Sequence, residues 1–388
     1  MKLLFIISFL SIFLIPGISQ EFKRGNIFLG QGGGIIQWRD SNGILIKNIN
    51  TGDVGGNGNG TGLRIHPLTG KLWVTNSNLP PNSLNGIRII NNDGTRGNTI
   101  DISPYQNTPT SITFDRQGNA YVGGLWNDGQ LVKINPEGTT ILDHYSLSTD
   151  GYVWGPEWVE IDCNDSIIYY TNLRAKIKRY NVVTHQQLPD FADLTGLTSW
   201  LFAMRLLPDS TMLVVSADHV VFRLNRFGSI IQTYTPTNLC GLFGIAGTAD
   251  GKSFWVGGGA NYGPMYKFDI SSGAVQTSFT NNQPGINIYG IEVYGDALKN
   301  CKKIITGDDC CKAYPNPSEG IFKLQTILTG SVSITIFNGI GQLVYKNSFN
   351  VGSGNNEIPL SLVKLSAGVY IIHLFNDHQN CIEKIVIR

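Results

Sequence analysis

The stretch Leu131-Val132-Lys133-Ile134-Asn135-Pro136-Glu137-Gly138 alternates apolar and polar side chains and then breaks at a proline and a glycine. Relatives of it recur at Ile35-Ile36-Gln37-Trp38-Arg39, Ile87-Arg88-Ile89-Ile90-Asn91, Ile177-Lys178-Arg179-Tyr180-Asn181, Val221-Phe222-Arg223-Leu224-Asn225 and Met265-Tyr266-Lys267-Phe268-Asp269. Most run into a glycine-bearing turn: Asn42-Gly43, Asp93-Gly94, Glu137-Gly138, Phe227-Gly228 and Ser272-Gly273. The copies begin at 35, 87, 131, 177, 221 and 265, so the steps are 52, 44, 46, 44 and 44 residues. A period of two reads as strand, and self-similarity at this spacing signals an array of small sheets.

Around each copy the chain supplies three further strands. A short apolar strand comes first (Leu63 to Ile65, Ile112 to Phe114, Val159 to Ile161, Met204 to Leu206, Ile245 to Gly247), followed by a tight turn. A second strand ends on large β-formers (Trp73-Val74, Tyr121-Val122, Tyr169-Tyr170, Val214-Val215, Trp255-Val256). The quoted motif is third, and a more polar run is fourth. Four-stranded units of this kind are propeller blades. Five are complete between about Gly60 and Asn282. The sixth is expected from both ends, Asn287 to Val293 supplying its first strand and Ile27 to Lys47 the other three. The expectation is therefore an all-β protein with a six-bladed β-propeller closed by its N- and C-terminal strands, which leaves no long free sheet edge.

Length and composition agree. The 388 residues suffice for one large β domain and a smaller one. Only 15% are charged and 46 are glycine, and no amphipathic helical pattern of useful length occurs. Without Lys2, which lies in the leader, 28 basic residues balance 28 acidic ones. A neutral chain with no basic stripe is a poor partner for nucleic acid or anionic lipid.

Both ends carry an address. Lys2, the apolar run Leu3 to Ile15 and the small residues of Gly17-Ile18-Ser19 read as a signal peptide, residues 1–19. About 13 apolar residues fall short of the roughly 20 a spanning helix needs, so no transmembrane segment is expected. After Val293 a polar linker is expected over 297–312, closing a propeller domain of 20–296. The remainder, 313–388, carries Tyr314-Pro315-Asn316-Pro317-Ser318, Gly341-Gln342-Leu343-Val344-Tyr345 and Leu365-Ser366-Ala367-Gly368-Val369-Tyr370-Ile371 in that order. It resembles the type A C-terminal sorting domain of the Bacteroidota type IX secretion system. The resemblance implies a small immunoglobulin-like β-sandwich, with Tyr314, Pro315, Asn316, Pro317, Gly341, Gly368 and Tyr370 as the sorting motif. It further implies the secretion machinery as partner, and an extracellular or outer-membrane-surface location on a Gram-negative, Bacteroidota-type cell. The blades resemble the NHL, SMP-30/gluconolactonase and streptogramin-lyase-like propellers and lack the Gly-His and Trp-Asp pairs of WD40 repeats.

Six cysteines are present, and export permits disulfides. A bridge within Cys301, Cys310 and Cys311 is expected, with Cys381 reaching the remaining one. Cys163 in a tight turn and Cys240 on the opposite face are expected unpaired, because bridged Cα atoms lie roughly 5.5 Å apart.

One column of the repeat is charged: Arg64, Thr113, Glu160, Arg205, Ala246 and Glu292 occupy the same position of successive first strands. Glu160 with Arg205, and Glu292 with Arg64, are expected to pair around a central channel, fixing blade packing or lining a solute path. The longer loops open on one face and carry Asn76, Asn78, Trp126, Asn127, Asp128, Asn172, Arg174, Asp218, His219, Asn261 and Tyr262. Trp154, Glu157, Trp158, Trp200, Asn238 and Phe243 join them from the blade-to-blade connections. Aromatics among amides and acids suit a cleft for sugars or peptides, unless Trp158 and Trp200 plug the channel mouth. The ligand-binding set expected is Trp126, Asp128, Glu157, Trp158, Asn172, Asp218, His219 and Tyr262. No catalytic residue is assigned: there is no Gly-x-Ser-x-Gly elbow, and Ser216-Ala217-Asp218-His219 alone makes no triad. No cofactor is expected, although the oxygens of Glu157, Asn172 and Asp218 are compatible with calcium. The expected function is binding of an extracellular glycan or protein ligand. The alternative is a metal-dependent hydrolase or lactonase of SMP-30 type.

Overall fold

The computed structural model describes residues 20–51, 61–79, 84–126, 130–236, 241–259, 263–280, 287–296, 304–306, 311–326, 328, 330–352, 356–376 and 380–388. The leader, with Asn127, Asp128, Asn238, Asn261, Tyr262, Cys240, Cys301 and Cys310, lies outside them. The chain divides into two compact units, Met1–Lys299 and Asn300–Arg388. Among the described residues every regular element is a strand.

In the first unit six four-stranded antiparallel sheets succeed one another among the described residues. Five are made of consecutive strands. Trp158–Ile161, Ile167–Thr171, Lys176–Asn181 and Gln186–Asp193 form one of these, with Trp158 opposite Thr171 and Glu160 opposite Tyr169. The other joins distant parts of the chain: Ile288–Val293 pairs with Ile27–Gln31, which continues to Ile35–Arg39 and Leu45–Asn50. Phe28 lies opposite Glu292 and Leu29 opposite Ile291.

Local chemistry explains the hairpins. The last polar residue of the repeated motif holds the turn after it. Asn135 Oδ1 accepts the amides of Thr139 and Thr140 at 2.8 and 2.9 Å, and Asp269 Oδ1 those of Ser271 and Ser272 at 3.0 and 2.8 Å. The glycine that follows must be left-handed: Gly43, Gly94, Gly138, Gly228 and Gly273 have φ between +72° and +86°. At Gly228 a Cβ would stand 2.0 Å from the Phe191 carbonyl oxygen.

Each sheet buries apolar residues against the next. Trp73, Ile87 and Ile100 meet Ile112, Phe114 and Val132, and Tyr121 and Tyr145 meet Val159 and Tyr170. Ile177 and Phe191 meet Met204 and Phe222, and Leu213 and Tyr234 meet Ile245 and Phe254. Ala246, Trp255 and Met265 then pack on Ile27, Leu29 and Ile291, while Phe28 and Trp38 pack on Leu63 and Val74.

The second unit has a five-stranded sheet, in the order Ile304–Thr306, Asn380–Ile387, Gly368–Phe375, Gly330–Asn338, Leu343–Val351. A three-stranded sheet of Cys311–Tyr314, Ile321–Thr326 and Asn356–Ser361 accompanies it. Their inner faces share one core that includes Phe322, Leu324, Ile334, Ile336, Leu360, Ile372 and Leu374. Ile304–Thr306 falls in the stretch read from sequence as linker, yet it pairs in parallel with Asn380 to Ile382.

Cys163 is disulfide-bonded, as is Cys381, whereas Cys311 is a free, buried thiol. The expectation that Cys163 is unpaired is therefore corrected. The distance argument bore on Cys240 alone, and a thiol in a half-buried turn stays open to other partners.

Candidate functional site

Two groups of side chains stand out in the first unit: one between the first strands of the sheets, the other on the loop face. Arg64, Glu160, Arg205 and Glu292 belong to the strands Leu63–Ile65, Trp158–Ile161, Leu201–Leu206 and Ile288–Val293. All four are buried. Arg64 Nη2 lies 2.6 Å from Glu160 Oε2, and its Nη1 lies 3.3 Å from Glu292 Oε2. Arg205 reaches the same two oxygens at 3.6 and 3.0 Å, and through Nε it reaches Asp296 Oδ2 at 3.4 Å. Both expected pairs are present, but each arginine also bonds the other glutamate, passing over the uncharged positions Thr113 and Ala246. Asp296 was missed because it follows the last strand and has no place in the repeat. Burial, reinforced by Asp296 and Glu160, raises the Glu292 carboxyl against the pull of Arg64. Beside the cluster Thr61, Ser111 and Trp158 line about 10 Å³ of free space, enough for about one water molecule. The Thr61 and Ser111 hydroxyls, Arg64 Nε and Trp158 Nε1 have no protein partner there.

On the loop face three connections from two neighbouring sheets converge. Trp126 follows the strand Ala120–Gly124; Tyr152, Val153 and Trp154 precede Trp158–Ile161; Arg174 precedes Lys176–Asn181. The Arg174 guanidinium lies over the Tyr152 ring at 3.5 Å and near the Trp154 ring at 5.3 Å. Trp154 meets Trp126 edge-on at 6.4 Å between centroids. Trp126 is 50% exposed, Tyr152 43% and the aliphatic Val153 61%, so water still reaches these side chains. Two backbone bonds and one side-chain bond fix these loops: Gly155 N donates to Leu125 O at 2.7 Å, Glu157 N to Thr171 O at 3.0 Å, and Thr110 Oγ1 to Glu157 O at 2.7 Å.

Several polar atoms of these connections are shut off from solvent without a partner: Glu157 Oε2, Asn172 Oδ1, Trp158 Nε1 and Arg174 Nε. Asn172 spends its amide nitrogen on Thr149 O at 3.3 Å. Burial pushes the Glu157 carboxyl up to about 8. Two of the expected residues, Asp218 and His219, sit in another connection. Asp218 Oδ2 accepts the Ser199 amide at 3.2 Å, and His219 adopts a left-handed backbone with φ +65°. Trp200 beside them is 44% exposed. Asp128 and Tyr262 lie outside the described residues. Tyr152 was missed altogether, since nothing periodic marks a loop residue that stacks on an arginine. Among the described residues no cluster of three His, Cys, Asp or Glu side chains is placed to hold a metal ion.

In the second unit the sorting motif ties the sandwich to the last strand. Asn316 Nδ2 donates to Lys384 O at 2.6 Å, and its Oδ1 accepts Val386 N at 3.0 Å. Tyr314-Pro315 and Asn316-Pro317 are cis peptides. Gly341 is left-handed at φ +80°, Gly368 begins a strand, and Tyr370 Oη donates to Ser366 O at 2.8 Å.

The first unit is a β-propeller. It aligns with the crystal structure of the WD40 β-propeller domain of Doa1 at a TM-score of 0.50 and 12% identity, over 69% of this chain and 81% of that one. Identity this low establishes fold alone. The second unit matches the family described as "Secretion system C-terminal sorting domain" over residues 312–388. A tail of this type IX kind marks a chain for export to the cell surface or exterior of Bacteroidota and for handling by the secretion machinery. No curated protein matches the sequence. Among the described residues no helix is long and apolar enough to cross a membrane.

Proposed function

We propose that this is a secreted or surface-attached binding protein. Its propeller has six blades closed through the pairing of Ile27–Gln31 with Ile288–Val293, and its loop face takes an extracellular glycan. The ring reading rests on six sheets with six apolar interfaces, the last of which returns to the first. The buried charges then act structurally, linking four first strands. Signal-peptide cleavage over residues 1–19 and recognition of 313–388 by the secretion machinery complete the route.

The observation that carries the binding reading is the exposure of Trp126 and Tyr152, with half-buried Trp154 packed edge-on against Trp126. Flat aromatic faces bury the C–H faces of sugar rings. A glycan and peptide array probed with the full chain and with Trp126→Ala tests this. The expected result is glycan hits that weaken about tenfold or more in the variant. Hits that Trp126→Ala leaves untouched would refute the loop-face assignment. A second reading, calcium-dependent lactone hydrolysis through Glu157, Asn172 and Asp218, draws on the two oxygens left without donors, Glu157 Oε2 and Asn172 Oδ1. Repeating the array and a thermal melt with calcium and then EDTA separates the two, since only the second requires a reversible rise in melting temperature.

A further inference from the structure

The glycan reading leaves the charge of the ligand open, and Arg174 bears on it. The guanidinium nitrogens of Arg39, Arg88, Arg116, Arg179 and Arg223 all hydrogen-bond to side-chain or carbonyl oxygens. Arg174 makes no such bond with any described residue: it has stacking partners, and its Nε is shut off without an acceptor. Stacking occupies the face of a guanidinium and leaves its in-plane N–H fork for a planar anion.

Among the described residues the carboxylates of the loop-face connections are already committed or neutral. Asp150, two residues before Tyr152, is ion-paired to Lys178 at 2.7 Å. Glu157 is held largely protonated at neutral pH by its burial. Asp218 is engaged by the Ser199 amide. An aromatic platform with an unclaimed cation at its edge matches a ring that has one apolar face and one carboxylate.

Resting on the glycan reading above, we propose that the ligand is an acidic saccharide, whose uronic-acid carboxylate is taken by Arg174 while its ring lies against Trp126 and Trp154.

Calorimetric titration of the full chain with oligogalacturonate, with the same oligomer as its methyl ester, and with a poly-glutamate peptide tests this. The proposal expects oligogalacturonate to bind and the ester, which keeps the ring and loses the charge, to bind at least tenfold more weakly. Arg174→Gln should bring the acid down to the level of the ester, and Arg174→Lys, which keeps the charge but not the fork, should fall between. An unchanged melting temperature would show both variants folded. Equal binding of acid and ester, lost in Trp126→Ala and kept in Arg174→Gln, overturns the charge inference and leaves the glycan reading standing. Binding of poly-glutamate alone overturns both in favour of a peptide ligand. Absence of binding by all three probes overturns both.

Discussion

Replacing Arg205 by methionine removes one of two cations from a buried group of five charges. Arg64 and Arg205 face Glu160, Glu292 and Asp296, so the formal sum goes from 2 − 3 = −1 to 1 − 3 = −2. The oxygens abandoned, Glu160 Oε2, Glu292 Oε2 and Asp296 Oδ2, lie 3.6, 3.0 and 3.4 Å from the lost nitrogens. Breaking a buried ion pair from one side costs about 3–5 kcal/mol. A bound on this comes from protonation, because the fold can instead neutralise one carboxyl. From an ordinary value of 4.5 this costs about 4 kcal/mol at pH 7.5 and about 0.7 kcal/mol at pH 5, at about 1.36 kcal/mol per pH unit. A unit of this size shifts its melting temperature by about 2 °C per kcal/mol. The expected loss is therefore about 6–10 °C at pH 7.5 and only about 1–3 °C at pH 5. Tryptophan fluorescence reports it cleanly, since all seven tryptophans precede residue 256 and belong to the propeller. Adding Glu292→Gln to Arg205→Met should return part of the loss at pH 7.5. A variant within about 2 °C of the wild type at pH 7.5, or equally destabilised at both pH values, would refute the idea that these charges hold the first strands together.

Glu157 has a folded value raised from the ordinary 4.5 to about 8. Its stabilising contribution is thus complete below about pH 4.5 and is lost as pH rises through about 8. Glu157→Gln cannot ionise and should flatten the fall in propeller melting temperature between pH 5 and 8.5; superimposable profiles would show the carboxyl ionised throughout. Gly228→Ala should cost about 2–4 kcal/mol, from a left-handed backbone and a Cβ directed at the Phe191 carbonyl. A urea midpoint indistinguishable from wild type would show that the turn can adopt another geometry.

The hairpins were legible in the sequence because alternation, the Asn or Asp at the end of the motif and the glycine after it act within about ten residues. Ile35–Arg39 and Met265–Asp269 begin and end where the pattern does. The loop face was legible only in part. Trp126, Glu157, Trp158 and Asn172 lie in its connections, but their company does not repeat with the blade, so Tyr152 and the isolation of Arg174 left no periodic mark. Cys163 failed for a related reason: blade position constrains a strand residue far more than a residue in a surface turn.

By itself, the sequence determined a chain of four-stranded units, an export tail and which position of the first strands carries the charges. Only the tertiary structure decided that Arg64 meets Glu160 as well as the expected Glu292, and that Arg205 shares both. Strand formation depends on neighbours along the chain, whereas ion pairing depends on how far long side chains reach across the space the first strands leave. That distance is set by the packing of all the sheets together, which no single repeat encodes.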